Sequence, residues 1–99
     1  MSGLLDNLKQ LGQLKQQAAQ FQRMLTSKEV EISSPGGELT IKVNGKMELL
    51  KVEISPEVLA PEKKVFLENL FLKTWARAQK EVERLVAAEL KSQIGGLPF

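Results

Sequence analysis

The chain has 99 residues, 42% hydrophobic and 26% charged, with a formal net charge of +2. That length suits one domain, 1–99, with a modest core and with mobile ends expected at 1–3 and 95–99. Cysteine, histidine and tyrosine are all missing, which excludes disulfides and thiolate chemistry and removes the commonest general base and zinc ligand.

Leu4 to about Leu25 predicts a helix. Leu4, Leu8, Leu11, Leu14, Ala18, Phe21 and Leu25 fall on one face at steps of three and four. From Leu11 the spacing is that of a coiled-coil seam. Gln10, Gln13, Gln16, Gln17 and Gln20 occupy the other face, solvated without adding charge. The pattern describes an amphipathic helix packed on its own sheet or on a partner helix.

Lys28 to Ser33 alternates Val30 and Ile32 with Glu29 and Glu31, as a first strand does. Ser33-Ser34-Pro35-Gly36-Gly37 is a turn cluster. Leu39, Ile41 and Val43 then alternate with Thr40 and Lys42, and Val52-Glu53-Ile54-Ser55-Pro56 gives a third strand ended by proline. Between them, Asn44-Gly45 predicts a two-residue type I′ hairpin turn, because both residues tolerate positive φ.

That turn pairs Val43 with Lys46 and Leu39 with Leu50. Directly opposed residues share a face, so Leu39, Ile41, Val43, Leu50, Val52 and Ile54 share one face, and Met47 and Leu49 lie on the other. Two explanations fit apolar residues on both faces. A β-bulge near Leu49-Leu50 restores a single face, or the sheet is buried on both sides, by its own helices and by a second subunit. The small core favours the second.

Ser55 to Ala60 reads as a connector. Pro61 and Glu62 suit the first turn of a helix, and no breaker follows until about Gln93. At ~1.5 Å per residue this helix approaches 50 Å, longer than one small domain covers, so its C-terminal half is expected to project or to pair with a partner. Leu67, Phe71, Trp75, Ala78, Val82, Leu85 and Val86 form its apolar face, with Trp75 read as core.

Little here supports catalysis. Glu81, Glu83 and Glu89 on the last helix are interleaved with basic residues and read as solvated charge. Neither Gly36-Gly37 nor Gly95-Gly96 has phosphate-loop spacing. No catalytic residue, cofactor, metal ligand or small-molecule substrate is expected. The sequence Met1-Ser2-Gly3-Leu4-Leu5-Asp6 lacks signal-peptide regions, and no segment nears the ~20 apolar residues of a membrane span. A cytoplasmic protein without membrane partners is expected.

The more specific constellation is basic. Lys73, Arg77, Lys80, Arg84 and Lys91 are spaced by four, three, four and seven residues. At ~100° per residue they fall within roughly 60° of arc, opposite Phe71, Trp75 and Val82. Such a stripe can lie against phosphates and gain affinity by counterion release. Lys9 and Arg23 on the polar face of the first helix, with Lys15 at its edge, offer a second basic surface. The stripe is equally readable as a solvated face, its field diluted by Glu81, Glu83 and Glu89 on its flanks. No set of side chains suits base reading, so any contact with duplex DNA is expected to favour phosphates and shape.

The order of these pieces resembles the YbaB/EbfC family of bacterial nucleoid-associated proteins, over nearly the whole length. The resemblance rests on the first helix with its Gln and Met residues, on Gly37-Glu38-Leu39-Thr40-Ile41-Lys42-Val43-Asn44-Gly45, on Val52-Glu53-Ile54-Ser55-Pro56, on Leu67-Glu68-Asn69-Leu70-Phe71 with Ala78 beyond it, and on the Gly-Gly-Leu-Pro tail. It implies an α+β fold: an α-β-β-β-α subunit with a three-stranded antiparallel sheet and two long flanking helices, forming a tight homodimer. It further implies helices projecting as a tweezer-like pair that holds duplex DNA with limited sequence preference, in the nucleoid and without catalysis. Ser55 departs from the acidic residue common before the proline, Ala76 from a common asparagine, and the tail is short. The DNA-binding candidates Lys73, Arg77, Lys80, Arg84, Lys91, Lys9, Lys15 and Arg23 come from spacing alone. A protein–protein adaptor or chaperone-like module, without direct DNA binding, is the other reading consistent with the nearly neutral charge and glutamine-rich helix.

Overall fold

The computed structural model describes residues 2–94. Helix α1 (Ser2–Ser27) leads into strand β1 (Glu29–Ser33), β2 (Leu39–Asn44) and β3 (Leu49–Ile54). Two 3₁₀ turns, Pro56–Val58 and Pro61–Lys63, then lead to helix α2 (Lys64–Ile94). The strands form one antiparallel sheet in the order β1-β2-β3. The order α-β-β-β-α is the one expected. Met1 and 95–99 lie outside the described residues, and Ser2 and Gly3 belong to the first turn of α1.

Helix α2 lies across β1 and β2. Leu39, Ile41 and Val43 of β2 are fully buried beneath it, joined by Val30, Ala78 and Val82. Ile32, Met47, Leu70, Phe71, Trp75, Leu85 and Val86 close around them half-buried. Burying each β2 side chain contributes on the order of 2 kcal/mol. Trp75 stacks on Phe71 at 6.4 Å between centroids, on the core side of α2. Thr74 is buried too, and its hydroxyl is satisfied by the Leu70 carbonyl one turn back (2.8 Å).

The β2–β3 connection is not the type I′ turn that Asn44-Gly45 suggested. Asn44 closes the loop instead of standing at its centre. Its amide donates to the Glu48 carbonyl (3.1 Å), and the Met47 amide donates to the Asn44 carbonyl (3.0 Å). Met47, at φ 63°, takes the left-handed position of a three-residue hairpin loop. The buried Asn44 side chain drives this choice. Its Oδ1 accepts from the amides of Lys46 (3.0 Å) and Glu48 (3.1 Å), and its Nδ2 donates to Glu48 Oε1 (2.9 Å).

The register changes accordingly. Leu39 pairs with Ile54, Ile41 with Val52 and Val43 with Leu49, with a shift between Lys42 and Val43. Lys42 faces Lys51, so Leu50 is the extra residue of a bulge. The bulge returns Leu49 to the face of Val43, and the expectation of a sheet buried on both sides does not hold. The outer face is charged and open. Glu31, Lys42 and Lys51 form one row and Ser33, Thr40 and Glu53 the next. Lys42 meets Glu29 at 3.7 Å, and Lys51 meets Glu53 at 2.7 Å. The Ser33 and Thr40 hydroxyls share a hydrogen bond of 2.8 Å.

Helix α1 does not pack along its own sheet. Only Phe21, Met24 and Leu25 of its last two turns are half-buried, and residues 3–20 are exposed. Its apolar stripe is therefore open, with Leu4, Leu5, Leu8, Leu11 and Leu14 between 55% and 70% exposed. The projecting helix accounts for an elongated shape of 72 × 26 × 17 Å.

Candidate nucleic-acid interface

Because α2 turns its apolar face to β1 and β2, the residues opposite that face point to solvent. Lys73, Arg77, Lys80, Arg84 and Lys91 are all exposed. They are not equivalent. Lys73 and Lys80 have no ion-pair partner among the described residues. The Arg77 Nη1 donates to the Ser33 carbonyl at the end of β1 (2.8 Å), which fixes that guanidinium at the sheet margin. Arg84 is held by Glu81 one turn back, its Nε donating to Oε1 at 3.2 Å with a second bond from Nη2. The hydrogen bond from Arg84 lowers the Glu81 carboxyl below its ordinary value. Part of the stripe is thus occupied within the subunit.

Lys9, Lys15 and Arg23 are exposed on α1. They belong to the projecting helix, a different element from the α2 stripe, and α1 touches the rest of the chain chiefly at its last turns. Lys28, at the junction of α1 and β1, is paired with Glu89 of α2 at 3.4 Å.

Periodicity did not disclose a second surface. Helix α2 leaves β3 uncovered, so Leu49, Leu50, Val52 and Ile54 are 38–47% exposed. Leu39, Val52, Ile54, Leu67, Phe71 and Leu72, edged by Lys64 and Glu68, line a groove of about 520 Å³ between β3 and α2. The helical pattern identified Leu67 and Phe71 as apolar-face residues, but which strand α2 would cover is a property of the packing. Among the described residues no cluster suits a metal ion, and no helix is long and apolar enough to cross a membrane.

The sequence profile of the YbaB/EbfC DNA-binding family matches residues 1–97. The chain belongs to the YbaB/EbfC family. A nucleoid-associated protein of Alkaliphilus metalliredigens is 36% identical over 90 residues, covering 91% of this chain and 79% of that protein. One from Afipia carboxidovorans is 33% identical over 97 residues, 98% of this chain and 92% of its own. The crystal structure of an uncharacterized Helicobacter pylori protein, HP0035, superposes with a TM-score of 0.64 at 21% identity, covering 81% of this chain and 93% of that one. That likeness shows a shared fold.

Proposed function

We propose that this protein is a nucleoid-associated, non-enzymatic DNA-binding protein that contacts duplex DNA as a homodimer with little sequence preference. The observation that carries the reading is the division of α2: its apolar face closes the core, and its basic face stays in solvent. Lys73, Lys80 and Lys91 offer charge to phosphates, and Arg77 and Arg84 flank them. Lys9, Lys15 and Arg23 supply a second set on α1. Lysines and arginines on the outer face of a helix suit contact with phosphates, and phosphate contacts carry no sequence information directly. The whole chain, 1–99, acts as one domain in this reading.

The homodimer is supported by the apolar groove and by the unpaired edge of β3. An exposed apolar strand edge invites pairing with another chain. A second copy placed there completes a core that one subunit leaves open.

Gel-shift titrations on unrelated duplexes across a salt series test the function. Binding that weakens steeply with salt, and is lost when Lys73, Arg77, Lys80 and Arg84 are changed to Glu, is expected. Salt-insensitive binding, or none at low salt, sinks the reading. The open leucine stripe of α1 favours a second reading, an adaptor whose projecting helix grips another protein. Recovery of one stoichiometric protein from nuclease-treated lysate, with no DNA binding by the pure protein, would decide for it.

A further inference from the structure

Helix α1 leaves the sheet with little to hold it. Its attachments are the half-buried Phe21, Met24 and Leu25, the Lys28–Glu89 pair, and one backbone bracket. The Gly45 amide donates to the carbonyls of Leu25 (2.8 Å) and Lys28 (3.0 Å). The Leu25 carbonyl lies in the last turn of α1, where the i+4 donors run out, and besides Gly45 it accepts only a longer bond from the Lys28 amide (3.3 Å) among the described residues. A β-carbon on Gly45 would sit 2.6 Å from that oxygen and 3.0 Å from the Leu25 α-carbon. Gly45 φ is not positive, so glycine is needed here for close approach. The turn itself is fixed from below by the buried Asn44 side chain and its three hydrogen bonds.

We propose that Gly45 is a positioning residue. By seating the β2–β3 loop against the end of α1, it sets the direction in which that helix leaves the sheet. The consequence for DNA rests on the function proposed above. Lys9 and Lys15 are carried on this lever, so their placement depends on a residue that touches no ligand. From Leu25 to Gln10 the lever is about 22 Å long at ~1.5 Å per residue. Ordinary contact begins at 3.4 Å, so Gly45→Ala must open the bracket by about 0.8 Å, the difference between 3.4 and 2.6 Å. Tilting about the short last turn enlarges that opening toward the tip.

The chain has no cysteine, so spin labels can be placed at Gln10→Cys and Gln79→Cys in the full-length protein. Diluting labelled chains with unlabelled ones restricts the reading to within-chain distances. Gly45→Ala is expected to shift or broaden the Gln10–Gln79 distance distribution. Gly12→Ala, a substitution on α1 with nothing within 4 Å of the new carbon, is expected to leave it unchanged. An unchanged distribution in folded Gly45→Ala overturns the proposal. If Gly45→Ala does not fold, the unmutated protein decides. A narrow distribution with slow exchange of the Gly45 amide supports the bracket, and a broad one or fast exchange overturns it. In DNA titrations, Gly45→Ala is expected to lower the salt slope by up to about 1.8, the two phosphate contacts of Lys9 and Lys15 at ~0.9 each, Arg23 lying too near the pivot to move. A moved helix with an unchanged slope overturns the link to DNA. Failure of the unmutated protein to bind DNA overturns the DNA reading, and the distances still score the bracket.

Discussion

Ile41 and Val52 face each other across the β2–β3 ladder, yet Ile41 is fully buried and Val52 is 41% exposed. The asymmetry comes from α2, which covers β2 and leaves β3 at the open side of the groove. The two residues therefore test different things.

Ile41→Ala removes methyl groups from the closed core. A loss of about 2–5 kcal/mol is expected in urea unfolding, because the rigid strand cannot collapse onto the space.

Val52→Asp with Ile54→Asp places charge in the apolar groove between β3 and α2. On the dimer reading this pair converts the protein to monomers in analytical ultracentrifugation. The far-UV circular dichroism is expected to persist, because surface changes usually alter subunit stability by about 0.5 kcal/mol or less each. A dimer that survives both changes rules out β3 as the contact strand.

The stripe residues separate by partner. Lys80→Gln is expected to lower the salt slope of DNA binding by ~0.9, one phosphate contact, with stability unchanged. Arg77→Gln is expected to lower the slope and also cost about 1 kcal/mol in thermal or urea unfolding, because the Ser33 carbonyl loses its donor. Equal stability of the two variants would remove the structural role of Arg77.

On the DNA reading, Glu81 is the competitor of phosphate for Arg84, which it holds within the subunit. The hydrogen bond from Arg84 lowers the Glu81 pKa, so the pair is intact above the ordinary carboxylate value. It is lost as pH falls through the lowered one. Arg84 is released in that lower window, and DNA affinity is expected to rise there relative to Glu81→Gln. At neutral pH the Glu81→Gln variant is expected to bind more tightly than the unmutated protein. Identical pH profiles for the two proteins, measured by fluorescence anisotropy, would show that the pair does not restrain Arg84.

Asn44→Ala removes a buried side chain and leaves the partly buried Lys46 and Glu48 amides without their side-chain acceptor. A loss of about 2 kcal/mol or more in urea unfolding is expected.

Much of this protein could be read from local pattern. The alternation of Val30 and Ile32, and of Leu39, Ile41 and Val43, located the strands. The spacing from Leu67 to Val86 gave the core face of α2, and with it the basic stripe opposite. Even the faces of Val52 and Ile54 were placed correctly from a wrong register, because a shift of an even number of residues preserves side-chain direction. The hairpin loop differs from the local expectation because Asn44-Gly45 fits two turn geometries. The choice belongs to the buried Asn44 side chain and to the carbonyls of Leu25 and Lys28, which come from other elements.

The sequence by itself determined the elements, their order and the basic and apolar sides of α2, since each follows from periods of two and 3.6 residues. Tertiary structure decided which strand α2 covers, how the loop closes and which way α1 points. Those outcomes depend on contacts between residues far apart in the chain, such as Gly45 with Leu25 and Arg77 with Ser33, and such contacts leave no local periodicity to read.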